Sequence, residues 1–195
     1  MPETTVGTSQ AVFKSIENDI KDQNTSLSLN TCKDFQAIAS YIGKLNIKHS
    51  SPNGINTDSL VFGSTFIIGG QIHGQELEIY MVYPQGNYIR PADSKPYLVI
   101  GEVKYGKPIL DRVITPDVSI GDASRCALIS MDSTLKSDLT VGPPIDIAVF
   151  KKDEKKISYL KCLNTSDNDY TMICETWSNK VLQAFDTFPK FDWEK

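Results

Sequence analysis

Apolar residues in the first part of the chain recur at helical spacing. A first amphipathic helix is predicted to end near Asn24, and its apolar stripe consists of Val12, Phe13, Ile16 and Ile20. A second helix follows Asn30-Thr31, where Thr31 and Asp34 have the pattern of a capping box. The apolar face of this second helix consists of Phe35, Ile38, Ile42 and Leu45. The turn-forming run at 50–54 then ends the helical region.

The apolar period changes to that of β-strands after Leu60. Apolar side chains on both faces of residues 60–68 predict a strand that is covered on both sides. A second strand is predicted where apolar and acidic residues alternate, at Glu76, Leu77, Glu78, Ile79, Met81 and Tyr83. Turns at His73-Gly74 and at 84–87 separate the first three strands, the third of which starts at Tyr88-Ile89. A short fourth strand is predicted at 97–100.

The second half of the chain predicts three helices and one β-hairpin. One helix begins near Tyr105–Pro108, since proline is tolerated in a first helical turn, and a longer one starts after Asp117. The inward face predicted for the longer helix is Ile120, Ala123, Ala127, Met131 and Leu135. The hairpin joins strands at 145–150 and 157–163 through a charged, solvated tip at 151–156. The last helix follows a cap at 167–169, and its predicted inward residues are Tyr170, Ile173, Trp177, Val181 and Phe185.

Helices that bracket antiparallel strands predict a layered α+β fold. The length of 195 residues fits a single domain over 1–195. Two leading helices have no preceding strands, however, although the hairpins that follow need further strands beside them. The chain is therefore predicted to be an N-terminally incomplete domain, and its exposed sheet edge favours obligatory oligomers or low solubility.

Composition and charge argue against several classes of partner. Twenty basic and 24 acidic residues leave a net charge of -4, which argues against a nucleic-acid or anionic-membrane surface. No apolar run reaches the roughly 18 residues of a membrane-spanning helix, and the start has no secretory signal pattern. The cysteines stand far apart, which favours buried, reduced thiols in the cytoplasm over a structural zinc site. They are Cys32, Cys126, Cys162 and Cys174. No cofactor and no metal is predicted.

Four stretches of the sequence resemble a known family. They read FIIGGQIHG at 66–74, YPQGNYI at 83–89, IGEVKYGKPILDR at 100–112 and, within 131–146, MDST and SDLTVGPPID. In these segments and in their order, the chain resembles the bacterial Anbu family, a branch of the 20S proteasome β-type, N-terminal-nucleophile hydrolases. The resemblance extends from about Thr8 onward, and the run YGKPILDR is long and ungapped.

The resemblance implies a four-layer α-β-β-α sandwich whose subunits assemble with themselves into rings or open helical turns. It also implies a cytoplasmic hydrolase that acts on peptide or amide bonds. In the family, the hydroxyl of a terminal threonine attacks the carbonyl, and its own α-amino group, which titrates at about 7.7–8.0, takes up the proton. A lysine and an aspartate tune this pair.

The sequence departs from the family pattern at its start. The segment Thr8-Ser9-Gln10 matches the family's first helix, which follows the strands that carry the nucleophile, the aspartate and the lysine. Thr4 and Thr5 would lie at the start of a helix and could not replace the nucleophile. The resemblance therefore implies that this polypeptide is inactive alone, since loss of a nucleophile abolishes most of the rate. The alternative is a non-catalytic assembly subunit that oligomerises with itself or with a complete subunit.

The resemblance leaves one residue of the site in this chain. The family's supporting aspartate falls on Asp138, whereas Val141 replaces the serine three positions later. The other interpretation is that Asp138 caps the helix end or faces water. Glu102 is assigned no role. The cations Lys104, Lys107 and Arg112 either form inter-subunit ion pairs or, in the more ordinary case, lie exposed without a partner.

Other chemistries fit the sequence less well. A Ser-His or Cys-His hydrolase would need His49 or His73 beside a nucleophile, and the nucleophile-elbow motif is absent. The glycines at 69–74 lack the ending of a phosphate-binding loop. A terminal Pro2 would have to open a strand to act as in tautomerases, but here it precedes a predicted helix.

Overall fold

The computed structural model describes residues 3–22, 26–50 and 63–194. These residues divide into two compact units. The first unit comprises residues up to 93 together with 97–100 and 151–155, and the second comprises 94–96, 101–150 and the residues from 156 onward.

The first unit begins with two packed helices, α1 (Glu3–Lys21) and α2 (Phe35–Ser50). Val12 of α1 is fully buried in a core with residues of α2, namely Ala39, Tyr41, Ile42 and Leu45. The predicted helices are therefore confirmed, but Phe13 and Ile20 of the predicted stripe are exposed, by 58% and 43%. The predicted helix end near Asn24 and the turn beyond Ser50 lie outside the described residues.

The first turn of α2 is capped by Asp34, and not by Thr31 as predicted. The Oδ1 atom of Asp34 accepts a hydrogen bond from the Ala37 amide at 2.7 Å, which pairs one of the helix's open N–H groups. The Thr31 hydroxyl instead accepts from the Ser28 amide at 2.8 Å and so closes the preceding turn. A threonine three residues upstream of an acid is the pattern of a capping box. Here the threonine hydroxyl is hydrogen-bonded within the preceding turn and does not cap the helix.

An antiparallel sheet completes the first unit, in the order β1 (Phe66–Gln71), β2 (Leu77–Val82) and β3 (Tyr88–Ile89). The two predicted turns are present, with positive φ angles at Gly74 (80°) and Gly86 (82°). In β2 the buried side chains are Tyr80 and Val82, because α2 covers that face and Phe35 stacks on Tyr80. The predicted apolar face is less buried, and Leu77 is 39% exposed. Residues 60–62 of the first predicted strand lie outside the described part of the chain.

The α2 helix approaches the turn between β2 and β3 very closely at two glycines. A Cβ atom placed on Gly43 would lie 2.2 Å from the carbonyl oxygen of Gly86. Only glycine at position 43 allows the helix and the turn to pack at this distance. On the same helix, the Asn46 side chain donates to the carbonyl oxygens of Ser64 (2.6 Å) and Tyr83 (3.1 Å). The polar contacts and the missing Cβ together fix α2 on the sheet.

The second unit contains α3 (Lys107–Val113), α4 (Ile120–Ser137), β4 (Ile145–Val149), β5 (Tyr159–Leu163) and α5 (Asn168–Phe185). A short 3₁₀ helix, Asp192–Glu194, follows. The strands form an antiparallel hairpin in which Ile145 is opposite Leu163. The core consists of Leu128, Leu163, Tyr170 and Cys174. The predicted strand at 97–100 is wrong, since these residues have no regular structure in the first unit.

The inward face of α4 differs from the predicted one. Ile120 and Met131 are exposed, by 51% and 38%, and Ala127 is exposed as well. The buried positions are Cys126, Leu128, Ser130, Asp132 and Thr134. Gly106 packs closely against the small polar side chains of α4. A Cβ atom placed on Gly106 would lie 2.3 Å from the Ser130 hydroxyl. In α5, likewise, the predicted inward residues Val181 and Phe185 are 46% and 70% exposed.

Two further features bear on location and metal binding. None of the helices in the described part of the chain is long and apolar enough to span a membrane. The described residues include no group of three or more His, Cys, Asp or Glu side chains placed to hold a metal ion. All four cysteines are free thiols, and Cys126 and Cys174 are buried as predicted. Cys162 is exposed, because its position on β5 faces solvent, so the prediction of a buried thiol is wrong there.

Candidate functional site

Asp138, the site residue that the family resemblance implies, lies where α4 ends. Its backbone amide donates to the Thr134 carbonyl at 2.8 Å, so Asp138 is the C-terminal cap residue of the helix. Its Oδ1 atom accepts from the Thr140 hydroxyl (2.7 Å) and the Thr140 amide (2.8 Å). These donors, with a smaller contribution from the charge of Lys104, lower the pKa of the Asp138 carboxyl. The side chain is an ionised carboxylate in a short turn, and its supporting role stays a prediction.

Two charged residues that precede α3 pair with each other, and the charge of one of them, Lys104, acts on the Asp138 carboxylate. The Glu102 side chain accepts from the Lys104 amide at 3.2 Å, and the Lys104 ammonium lies 3.4 Å from the other Glu102 carboxylate oxygen. The same ammonium lies 5.5 Å from the centre of the Tyr105 ring. Lys104 therefore forms an ion pair with Glu102 and also interacts electrostatically with Asp138. We name Glu102, Lys104, Asp138 and Thr140 the helix-end cluster.

Lys104 and Thr140 of the helix-end cluster are exposed and Glu102 and Asp138 are half-buried, which limits what the cluster can do chemically. The Lys104 side chain is 71% exposed, and surface ion pairs of this kind contribute little to stability. The cluster supplies an ammonium that pairs with Glu102 and whose charge also acts on Asp138, and such a group can orient a polar ligand group or tune a neighbouring proton. Sequence reasoning assigned Glu102 no role and missed its pairing with Lys104. The sequence does show a glutamate two residues before a lysine, directly after Gly101. In the structure, Gly101 has a φ angle of 85°.

The other two predicted cations also pair within this chain. The Lys107 ammonium lies 2.7 Å from the Asp111 carboxylate, one helical turn away. The Arg112 guanidinium donates to the Pro108 carbonyl at 2.6 Å. The interpretation of these residues as exposed cations without a partner is wrong, because helical spacing brings acceptors within reach on the same helix.

A cavity of about 710 Å³ lies between α4 and α5 in the second unit. At its wall the Asp132 carboxylate pairs with the Lys136 ammonium at 2.7 Å, and the Tyr170 hydroxyl donates to Asp132 at 3.5 Å. Cys174 lines the same cavity. Burial, in the first place, raises the pKa of the Cys174 thiol and the pKa of the Tyr170 hydroxyl. A protonated thiol is a poor nucleophile, so this wall can hydrogen-bond a ligand but is not suited to thiol catalysis.

Of the two histidines, His49 lies in contact with a serine hydroxyl. The Ser15 hydroxyl of α1 lies 2.8 Å from the Nε2 atom of His49 on α2. Sequence reasoning missed this pair, because the two residues come together only when the helices pack. The contact joins two helix faces, and a serine hydrolase would also need a strained nucleophile turn and oxyanion donors. His73 lies in the turn between β1 and β2, as predicted.

The predicted location of the two early threonines is confirmed. Thr4 and Thr5 lie in the first turns of α1, on a helix and not on a strand. Of the sequence-predicted site residues, Asp138 is affected by the charge of Lys104, and Lys104 pairs with Glu102. It places the N-terminal threonines in another unit of the chain.

This chain is similar to several proteins of known structure. No family model matches the chain, and no curated protein matches it. Solved structures do. Anbu (Gly-1 mutant) from Hyphomicrobium sp. strain MC1 is 35% identical with a TM-score of 0.86, over 95% of this chain and 77% of that chain. Anbu, described as an ancestral beta-subunit, from Yersinia bercovieri is 31% identical with a TM-score of 0.88 over the same shares. The Anbu complex from Pseudomonas aeruginosa, described as a helical assembly, is 34% identical with a TM-score of 0.83, over 94% and 76%.

Proposed function

Because the chain belongs to the Anbu family of proteasome-like β-subunits, we propose that it is a subunit of a self-assembling threonine protease that cleaves peptide or amide bonds in the bacterial cytoplasm. The observation that carries the proposal is the match at 31–35% identity over 94–95% of the chain. The same matches confirm the α+β fold predicted from the sequence. We treat residues 1–195 as one proteasome-subunit-like domain in this proposal.

Self-assembly is supported by a relative and by the surface of this chain. The Pseudomonas aeruginosa relative is described as a helical assembly. In this chain, large apolar side chains are widely exposed in the second unit, among them Leu182 (66%), Phe185 (70%) and Trp193 (80%). Apolar surface of this extent marks sites of protein association. We propose that copies of this chain associate into rings or open helical turns.

The proposed chemistry divides between residues of this chain and a nucleophile segment. Threonine catalysis of this type needs a terminal threonine whose own amine serves as the base. The helix-end cluster would contribute Asp138 as a supporting carboxylate, and the hydrogen bonds from Thr140 hold the pKa of this carboxyl below its usual value. We propose that the 195-residue polypeptide, tested by itself, binds its own copies but does not turn over peptides.

Two measurements on the 195-residue polypeptide test this proposal. Sedimentation velocity and negative-stain electron microscopy should show particles much larger than the 21.7 kDa monomer. Fluorogenic peptide and amide substrates should give no turnover. A soluble monomer at all concentrations would contradict the assembly, and a burst of product with a covalently labelled residue would contradict the inactivity.

A third measurement separates the hydrolase from a non-catalytic assembly subunit. The intact mass and first residue of the protein are determined after isolation from its own cells. A threonine ahead of Met1, in a longer chain, is the result expected for the hydrolase. A native mass of 21.7 kDa would instead identify a non-catalytic subunit.

A further inference from the structure

The cavity between α4 and α5 is bounded by one face of each helix and by the loops before β4 and after β5. Its volume of about 710 Å³ lies within the range of about 300–1,000 Å³ that is typical of small-molecule sites. The helix residues that decide its chemistry are Asp132, Leu135 and Lys136 of α4 and Thr171, Glu175 and Asn179 of α5. The cavity is large enough for an organic molecule, and its walls indicate which kind.

The charged groups on the cavity walls leave one carboxylate unpaired. Lys136 is the one cation among the described lining residues, and its ammonium lies 2.7 Å from the Asp132 carboxylate. The Glu175 carboxylate, in contrast, forms no ion pair and no hydrogen bond with another described residue. Two carboxylates and one ammonium give these walls a net formal charge of -1. The balance favours a ligand with a positive charge.

The uncharged lining residues suit a ligand with an apolar body beside its charge. Leu135, Val141 and Pro143 supply apolar surface. The Asn179 amide forms no hydrogen bond with another described residue, so its oxygen can accept one from a ligand N–H. Glu175 and Asn179 are four residues apart on α5 and therefore neighbours on one helix face. One ammonium group, which has three donors, can reach both side chains.

We propose that this cavity is a binding site for a small organic cation, an ammonium group on an aliphatic chain. The ammonium pairs with Glu175 and donates to Asn179, and the chain lies against Leu135, Val141 and Pro143. The inference stands apart from the proposed function, because binding of this kind needs no nucleophile and no assembly.

The cavity and the helix-end cluster share one segment of the chain. Lys136 and Val141 line the cavity, and between them in the sequence lie Asp138 and Thr140 of the cluster. A bound cation therefore contacts the segment that carries Asp138. Through this segment, a small amine can act on the helix-end cluster without occupying it.

Three probes with the same aliphatic chain separate the charge from the apolar contact. Isothermal titration calorimetry of the 195-residue polypeptide at fixed ionic strength compares hexylammonium, hexanol and hexanoate. Hexylammonium should bind about tenfold more tightly than hexanol, the order of effect expected for hydrogen bonds to a charged group. Hexanoate should bind more weakly than either. The inference would be overturned if hexylammonium showed no saturable binding, or if it bound no more tightly than hexanol or hexanoate.

A pair of variants with equal charge change tests whether Glu175 holds the cation. Glu175→Gln keeps the shape of the side chain and removes its charge. Asp117→Asn is the matched control, because Asp117 is an exposed acid of the same unit that lies outside the cavity lining. Glu175→Gln should weaken hexylammonium binding about five- to tenfold, with Asp117→Asn like the wild type. Equal affinity in the two variants would show that the cation is bound elsewhere or only by the overall charge.

Hydrogen–deuterium exchange followed by mass spectrometry locates the bound cation without a variant. Hexylammonium should slow exchange at 138–143 and at 170–179, and it should leave α1 and α2 unchanged. Protection confined to other segments would contradict the cavity as the site. Neither measurement uses peptide turnover or particle size, so a failure of hexylammonium to bind would leave the proposed function untouched. An active or monomeric polypeptide would, in turn, leave this inference untouched.

Discussion

Replacing Gly43 with alanine should destabilise the first unit, although alanine is the better helix former. Gly43 lies in α2, where the helix meets the turn between β2 and β3. A Cβ atom at this position would lie 2.2 Å from the carbonyl oxygen of Gly86 and 3.0 Å from its carbonyl carbon. The obstacle is backbone, and Gly86 itself is fixed in a turn at a φ of 82°. The neighbour therefore cannot rotate away, and the helix or the turn must move.

Two opposing effects set the size of this change. The helix propensity of alanine favours the variant by about 1 kcal/mol. Overpacking costs about 1–3 kcal/mol and occasionally more, and a contact of 2.2 Å with backbone belongs at the upper end of that range. The expected net loss is about 2 kcal/mol, which in a chain of this size lowers the melting temperature by roughly 4–8 °C.

Thermal and urea unfolding, followed by circular dichroism, measure the effect of Gly43→Ala. Gly7→Ala is the matched control, because Gly7 also lies in a helix but has nothing within 4 Å of the new Cβ. This control should be stabilised by up to about 1 kcal/mol through helix propensity alone. If Gly43→Ala unfolded at the same or a higher urea concentration than the wild type, the close packing of α2 on the turn would be refuted.

Three further predictions concern the second unit. The hydrogen bonds from Thr140 lower the pKa of Asp138, so this carboxylate stabilises the fold above the unfolded pKa of about 3.9, and the stabilisation is lost as the pH falls through the lower folded value. Thr140→Val should raise the pKa of Asp138 in an NMR titration, and an unchanged value would contradict the hydrogen bond. Iodoacetamide should alkylate exposed Cys162 before the buried thiols, as followed by mass spectrometry. The hydrogen bond to Asp146 raises the pKa of Cys162, so Asp146→Asn should speed this alkylation, and a slower reaction would count against the pairing. Ser119 caps α4, so Ser119→Ala should cost about 1 kcal/mol in urea unfolding, whereas Ser119→Thr should cost less.

Local periodicity was sufficient to predict most elements of this fold. The spacing of Phe35, Ile42 and Leu45 predicted α2, and all three side chains are buried. Turn glycines predicted the connections between β1, β2 and β3, since a positive φ angle is easiest for glycine. The helix and the turns depend on residues that are close together in the sequence, so one sequence is enough to predict them.

The inward face of α4 could not be found in this way. Ser130 and Thr134 are buried where Gly106 packs closely against α4, and the Thr134 hydroxyl donates to the Ser130 carbonyl within the helix. Asp132 is buried where it accepts a hydrogen bond from Tyr170 of α5. A hydropathy pattern counts these three residues as polar and assigns the stripe to Ile120 and Met131, which are exposed. Residues 97–100 have strand-forming side chains, but the structure places them in no strand. Packing, and not propensity, decides both cases.

The candidate site was predicted only in part for the same reason. The position of Asp138 at the end of α4 follows from the helix pattern. The effect of the Lys104 charge on Asp138 depends on the folding of the second unit, and so does the pairing of Lys104 with Glu102. The Ser15–His49 contact, likewise, exists only once α1 packs on α2.

The Ser15–His49 contact has a consequence for how the two helices are joined. A serine hydroxyl can either donate or accept a hydrogen bond, and an imidazole nitrogen accepts when bare and donates when protonated. The distance of 2.8 Å therefore suits either tautomer of the ring. The two helices are therefore joined by a side-chain contact that does not depend on which ring nitrogen carries the hydrogen.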